Sequence, residues 1–351
     1  MFFSTVSKLQ KVVMLYADQI KVVSVIFSEK KVDIKDIKSY KIPTLFGTST
    51  YSRDLLKILT KALQDVESGD TVKVFLEPTF TDIKIEKHNK VFNENTEVTD
   101  QVLADIASQK GSLPKKDKTV FERTILSISL NGYNVSNPKG KLATNIEMTE
   151  IVSYIDQKWF DLLSNVSHQN NFHLDVHSLE SAVSYSVHSL FPKQDHNIFV
   201  SGWIDSSILY FDSGVLVQSL PFTISSRSLR KAIMQFIAQD ILQNDSYLDL
   251  YEKDLLDQNS ETNILYGLRK IFEIWQKMQD ENKQFSQNKN NMFLCIPHCE
   301  NKIWEKFWLE SGMGKDSITT MKPDFFSGFM DVEALDNDTR LASALLYAIH
   351  R

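Results

Sequence analysis

The sequence predicts an α/β protein of two layered lobes carrying a smaller inserted subdomain. Apolar runs of strand length alternate with stretches of helical periodicity along most of the chain. With 351 residues there is enough chain for two compact cores. From about Thr81 to Ile155 the order changes to strand, helix, strand, strand, and the earlier α/β order then resumes, which marks an insertion.

The chain opens with strand-like runs at Val12–Ala17 and Lys21–Phe27, joined by Asp18-Gln19, and a third that reaches Ile42, where Pro43 closes it. Ser52 is placed to cap a helix over Arg53–Val66, whose Leu55, Leu56, Leu59, Leu63 and Val66 share one face. Gly69-Asp70 ends it, and Thr71–Leu76 is a short apolar strand. In the insertion, Thr81–Glu86 alternates, Thr99 caps a helix over Val98–Ser108, and a polar linker spans Gln109–Lys118. Arg123–Leu130 alternates again, turn formers crowd Asn131–Gly140, and Leu142–Ile155 carries the last strand of the block.

A helix around Trp159–Val166, a strand at Phe172–Val176 and a helix over Leu179–Leu190 restore the α/β order. Ile198–Phe222 then reads as apolar strands folded back twice, with turns at Ser201–Ser207 and Asp212-Ser213-Gly214. A helix over Ser228–Asp240, a polar and mostly helical span over Gln243–Asn291, a strand at Met292–Ile296 and helices over Ile303–Leu309 and Leu335–Ile349 complete the chain.

Composition excludes several classes of function. A formal charge of -6 and a pI near 5.8 oppose a nucleic-acid binder that works through a net basic field. The apolar runs are far shorter than the ~20 residues of a spanning helix, and the N-terminus has no secretory pattern. Two cysteines, Cys295 and Cys299, provide no disulfide framework, which fits a reducing cytoplasm. No nucleophile elbow, Walker loop, dinucleotide fingerprint or metalloprotease helix is present.

Two clusters are weighed as metal or nucleophile sites. His173, Asp175 and His177 share one face of a strand, where alternating imidazole and carboxylate groups can bind zinc; the plainer reading is a polar outward face. Cys295, His298 and Cys299 lack the second ligand pair of a structural zinc site and read as core and turn residues. Trp304, Phe307 and Trp308 at helical spacing read as core. No catalytic residue and no metal ligand is assigned on these grounds.

Three segments carry a resemblance. They are the inserted block with its LNGYNVSNPKGKLATNIEM stretch (Leu130–Met148), the helix SLESAVSYSVHSLF, and the strand pair with Asp212-Ser213-Gly214 followed by a helix from Ser228. In these segments and in element order from Val12 to Arg351, the chain resembles the FtsA/PilM branch of the actin-like ATPase superfamily, peripheral proteins of bacterial cell division and type IV pilus assembly. The resemblance implies an actin-like (ribonuclease H-like) two-lobed α/β fold. Its first lobe would take residues 1–78 and 156–195, its interaction subdomain 79–155, and its second lobe 196–351 with a helical insertion near 243–290.

Carried onto this chain, the family's nucleotide site is degraded. The first phosphate turn is Tyr16-Ala17-Asp18-Gln19-Ile20, with an aspartate but no glycine. In the second, Val200 stands for an aspartate and Trp203 and Ile204 for glycines, while Gly202, Asp205, Ser206 and Ser207 remain. Cradling phosphate needs backbone N–H groups close to oxygen, and Mg²⁺ needs hard oxygen ligands, so these changes remove both. Under the base, Phe293–His298 brings isoleucine and proline to a paired-glycine turn, whereas Ile224-Ser225-Ser226 is partly kept.

The resemblance therefore implies a pseudo-ATPase scaffold or adaptor with no cofactor. The alternative is weakly bound ATP/Mg, or an active ATPase with an unusual loop, in a cleft lined by Asp18, Gln19, Gly202, Asp205, Ser206 and Ser207. The chain ends at Arg351 inside the last structural helix, without the amphipathic tail of FtsA-like proteins. That favours the PilM-like mode, a cytoplasmic protein brought to the inner face of the membrane by the cytoplasmic segment of a membrane protein or another division or pilus component. Self-association is a further mode, and no nucleic acid is expected. The partner peptide would dock between the insertion and the main body by strand addition or apolar anchors.

Overall fold

The computed structural model describes residues 8–29, 31–44, 46–108, 117–135, 137–192, 196–212, 215–236, 245–281, 291–335 and 337–350. The first lobe begins with β1 (Leu9–Leu15), β2 (Gln19–Phe27), β3 (Val32–Lys41), α1 (Tyr51–Ala62) and β4 (Thr71–Leu76). The insertion follows as β5 (Thr81–Glu97), α2 (Asp100–Ala107), β6 (Lys118–Leu130), β7 (Tyr133–Asn134) and β8 (Leu142–Asp156). The chain returns through α3 (Gln157–Asn170), β9 (His173–Ser178) and α4 (Leu179–Leu190). The second lobe holds β10 (His196–Val200), β11 (Ser206–Asp212), β12 (Val215–Phe222), α5 (Ser226–Met234), α6 (Asp245–Glu252), α7 (Gln258–Glu281), β13 (Asn291–Cys295), α8 (Asn301–Glu310) and β14 (Ile318–Thr320). Helix α9 (Thr339–Ile349) closes the chain.

The two large sheets have matching topologies. One is ordered β3-β2-β1-β4-β9 and the other β12-β11-β10-β13-β14, each with two antiparallel strands beside a parallel set. Residues of a strand point alternately to opposite faces, and the cores follow that period. On β1, Val12 and Met14 enter the central core with α4 and α9, whereas Val13 and Leu15 enter the outer core with α1 and α3. On β10, Ile198 and Val200 join the same central core, whereas Phe199 joins Trp304, Phe307 and Trp308 of α8. Helices α4 and α9 thus lie between the sheets and fasten both lobes to one apolar cluster. The aromatic face of α8 is core, as its spacing predicts.

Three boundaries differ from the sequence expectation. Helix α1 starts at Tyr51, and its N-cap is Thr50 with no side-chain cap, rather than Ser52. The start is fixed by tertiary contacts instead: Tyr51 is buried against Phe46 and Trp159, and its hydroxyl donates to the Ala17 carbonyl at 2.9 Å. Strand β5 runs to Glu97, well past Glu86, because β8 pairs with it through a polar stretch that no periodicity marks. Strand β9 begins at His173 and ends at Ser178, whose hydroxyl caps α4. Thr99 caps α2 as expected, accepting from the Val102 N–H. Most of the linker at 109–118, the tip at 213–214, the end of the helix expected to reach Asp240 and residues 282–290 lie outside the described residues.

The insertion is tied to the body by a buried charged network. Glu122 of β6 accepts from the Ser178 N–H and hydroxyl at 3.0 Å and from the Tyr347 hydroxyl of α9 at 2.9 Å. Its Oε1 lies 2.9 Å from His177 Nδ1, and His177 Nε2 lies 3.1 Å from Asp175 Oδ2. His177 is therefore buried between two carboxylates and does not belong to an outward polar face or pair with the exposed His173 as a metal ligand. Burial lowers its pKa, but the pairing with Asp175 and Glu122 outweighs that and leaves it above the ordinary value of 6.5. The hydrogen bond from His177 is the main cause that holds Asp175 down at about 2.

A histidine raised by folding contributes stability that is full below its unfolded pKa and is lost as pH rises through the folded value. Stability is thus expected to fall on the alkaline side of pH 6.5, and His177→Gln should flatten that decline in urea unfolding followed from about pH 5 to about pH 9. An unchanged pH slope in the variant would contradict this assignment.

Candidate functional site

A cleft of about 390 Å³ opens between the lobes, lined from the first lobe by Asp18, Gln19, Lys21 and Glu77. The second lobe contributes Trp203, Ser226, Arg230, Asp249, Lys253, Pro297, Cys299 and Glu300, with Asn337 and Asp338 at the approach to α9 and Arg340 in its first turn. Two tight turns face each other across it. The β1–β2 turn is closed by the Tyr16 N–H donating to the Gln19 carbonyl at 3.0 Å. The β10–β11 turn, Ser201–Asp205, folds against the Leu76–Thr79 segment of the first lobe.

That second turn is pinned by contacts to protein where a phosphate-binding turn would leave its amides open. Trp203 is 4% exposed and belongs to the outer core of the first lobe, with Leu15, Tyr51 and Trp159. Its N–H donates to Glu77 Oε2 at 3.2 Å, and the Ile204 N–H donates to Thr79 Oγ1 at 3.0 Å. The other Glu77 oxygen accepts from the Ala17 N–H at 2.6 Å, so one carboxyl joins both turns. Burial pushes Glu77 up to about 8, opposed by the nearby Arg340 guanidinium and by the Ala17 N–H. Gly202 is required by close approach: a Cβ there would lie 2.1 Å from the Asp205 carbonyl and 3.3 Å from Pro78. Gly202→Ala is expected to destabilise the protein by ~1–3 kcal/mol, as overpacking commonly does, measured by urea unfolding; a cost near zero would show that the turn yields.

The charged groups of the cleft largely neutralise one another. Lys21 Nζ lies 2.7 Å from Asp338, Arg230 Nε lies 2.8 Å from Glu300, and Lys253 Nζ lies 2.6 Å from Asp249. Arg340 stacks over the Tyr16 ring with 4.1 Å to its centroid and lies 3.8 Å from Asp338. Asp338 also caps α9, accepting from the Leu341 N–H at 3.1 Å, and takes the Tyr16 hydroxyl at 3.1 Å. Burial would raise its pKa, but Lys21 and Arg340 hold it well below the carboxylate range. Glu300 is fully buried and takes three donors, from Ser226, Arg230 and Trp304.

Of the six cleft residues expected from the sequence, the structure brings Asp18 and Gln19 to the lining. Gly202, Asp205, Ser206 and Ser207 are not among the lining residues. Ser206 Oγ accepts from the Gly202 N–H at 3.4 Å within the turn, Ser207 donates to the buried Glu180 at 3.2 Å, and Asp205 is exposed. The residues that dominate the cleft, Glu77, Arg230, Glu300, Asp338 and Arg340, were not found by sequence reasoning. The one available signal was Glu77-Pro78, a carboxylate directly after an apolar strand.

A separate convergence of ligand atoms lies in the insertion, where Glu86, His88 and Glu150 are buried within 4.8 Å of one another. His88 Nε2 lies 2.8 Å from Glu150, and the Arg123 guanidinium bonds the same carboxylate. Arg123 thus already supplies a cation to that group, with Tyr154 donating to Glu86 at 3.2 Å.

The matched five-stranded sheets, the helices between them and the cleft where their first turns meet define an actin-like fold. Among solved structures the chain is similar to a PilM-PilN type IV pilus biogenesis complex chain, at TM-score 0.66 and 11% identity over 99% of both chains. It also matches a Bacteroides thetaiotaomicron protein of actin-like ATPase fold and unknown function (TM-score 0.45, 11% identity, 99% and 98% covered). A third is the ethanolamine utilization protein EutJ from Carboxydothermus hydrogenoformans (TM-score 0.48, 8% identity, 96% and 89% covered). No protein-family model and no curated protein sequence matches the chain. Among the described residues no helix is long and apolar enough to cross a membrane.

Proposed function

We propose that this chain is an actin-like adaptor that has lost ATP hydrolysis and works in the cytoplasm beneath a membrane, as a component of pilus-type assembly. The observation that carries the reading is the β10–β11 turn. Its tryptophan fills the first-lobe core and its amides are given to Glu77 and Thr79, while the cations of the cleft are held by carboxylates. A triphosphate would have to displace these internal partners without a net positive field to draw it in. The likeness at TM-score 0.66 to a chain of a PilM-PilN complex supports the pilus side of the reading over cell division.

The partner is a short cytoplasmic segment of a membrane protein, bound at the insertion. Strand β6 is bonded to β7 only at Ser129 and Leu130, so the rest of that edge has no ladder-bonded strand among the described residues. An extended peptide adds to such an edge through main-chain hydrogen bonds, with alternate side chains meeting groups such as Ile125, which is 46% exposed. Calorimetric titration of the purified protein with Mg-ATP is expected to show no binding heat and no phosphate release; tight binding with turnover would overturn the adaptor reading. For the partner, the protein is expected to sediment with native membrane vesicles but not with pure lipid vesicles. Ile125→Asp should leave it in the supernatant with its melting temperature unchanged.

A further inference from the structure

We propose that Glu77 is a built-in stand-in for a ligand phosphate, and that removing its carboxyl uncovers an anion-binding site between the lobes. The donors of such a site are already in place. One backbone N–H from each lobe, Ala17 at 2.6 Å and Trp203 at 3.2 Å, converges on the two oxygens of this one side chain. Backbone N–H groups presented by neighbouring turns are the usual receivers of phosphate oxygens, and the two oxygens of a carboxyl group can accept from them in the same way.

A second observation points to the same ligand class. Arg340 lines the cleft, is 6% exposed, and its Nε makes no hydrogen bond among the described residues. A buried guanidinium with a spare donor beside two convergent amides fits a phosphate-bearing anion, since guanidinium groups bond phosphate through several N–H at once. Glu77 is only 2% exposed, so in the native chain it fills that place completely. The same arrangement explains how the first turn does without a glycine and the second keeps only Gly202: the Ala17 and Trp203 amides are held by an acceptor that is part of the chain. Folding therefore closes the two lobes on an internal carboxyl, in place of a diffusible ligand.

This rests on reading the cleft as a nucleotide cleft that has lost its ligand, but the two readings fail separately. Mg-ATP turnover by the native protein concerns the first, and anion rescue of a variant concerns the second. Glu77→Ala is expected to melt below the wild type in chloride and to recover in millimolar inorganic phosphate or pyrophosphate at matched ionic strength. The wild type should stay flat, and pyrophosphate should bind the variant at least ten-fold more tightly. Equal shifts in both proteins, or none in either, would overturn the proposal.

Should Glu77→Ala not fold, Glu77→Gln keeps the side-chain volume while turning one acceptor into a donor. Hydrogen exchange is then expected to quicken at the Ala17 or Trp203 amide and to stay unchanged along the rest of β1 and β10. Unchanged exchange at both amides would also overturn it.

Discussion

Writing phosphate-loop residues back into the second turn, Val200→Asp with Trp203→Gly, is expected to wreck the protein and not to switch on ATP hydrolysis. Trp203 leaves a hole in the first-lobe core among Leu15, Tyr51 and Trp159, and loss of a buried aromatic costs ~3–5 kcal/mol. Val200 has no exposed surface and sits in the central core beside Cys295, so an aspartate there is an unpaired buried charge. The two residues share one strand and turn, so their costs need not add, but either alone is a large share of the ~5–15 kcal/mol that holds a domain folded. Urea unfolding would show the loss, and Trp203→Phe, which keeps much of the volume, should recover part of it. A double variant that stays within about 1 kcal/mol of the wild type and hydrolyses ATP would sink this account of the turn.

The second large effect is expected at Glu300. Its carboxylate is fully buried and receives the Arg230 guanidinium at 2.8 Å, the Ser226 hydroxyl at 2.8 Å and the Trp304 indole N–H at 3.0 Å. Glu300→Ala removes the acceptor from three buried donors, one of them charged, and breaking such a pair from one side costs ~3–5 kcal/mol. Arg230 also lies over the Trp203 ring, 5.4 Å from its centroid, so the loss should spread to the pinned turn and quicken exchange of the Trp203 amide. Glu300→Gln, which keeps one acceptor, should cost less than the alanine. A loss under about 1 kcal/mol in the alanine variant would show that Arg230 finds water or another carboxylate instead.

Much of the architecture was legible because it rests on periodicity. Val12, Met14 and their alternates on β1, the leucines of α1 and the aromatic triplet of α8 carry spacings that only a strand or a helix can bury on one side. The polar half of β5 was not legible, since Lys87–Glu97 has no apolar alternation and owes its strand to pairing with β8. The start of α1 was misplaced for a similar reason. Ser52 is the better cap by residue type, and burial of Tyr51 against Trp159 overrides it.

The candidate site divides along the same line. Trp203 and Ile204 stand where the resembled family has glycines, and it was that resemblance that put Asp18 and Gln19 at a cleft and implied degraded phosphate chemistry. The partners that hold this turn were not visible. Glu77 is separated from Trp203 by 126 positions and Tyr16 from Asp338 by 322, and no spacing rule links residues so far apart. The two α/β lobes can be read from the chain because periodicity acts within a few residues, and the family resemblance adds that the second turn lacks phosphate-loop residues. That the Glu77 carboxyl and Trp203 meet between the lobes follows from long-range packing and charge pairing, which depend on which distant elements the sheets bring together.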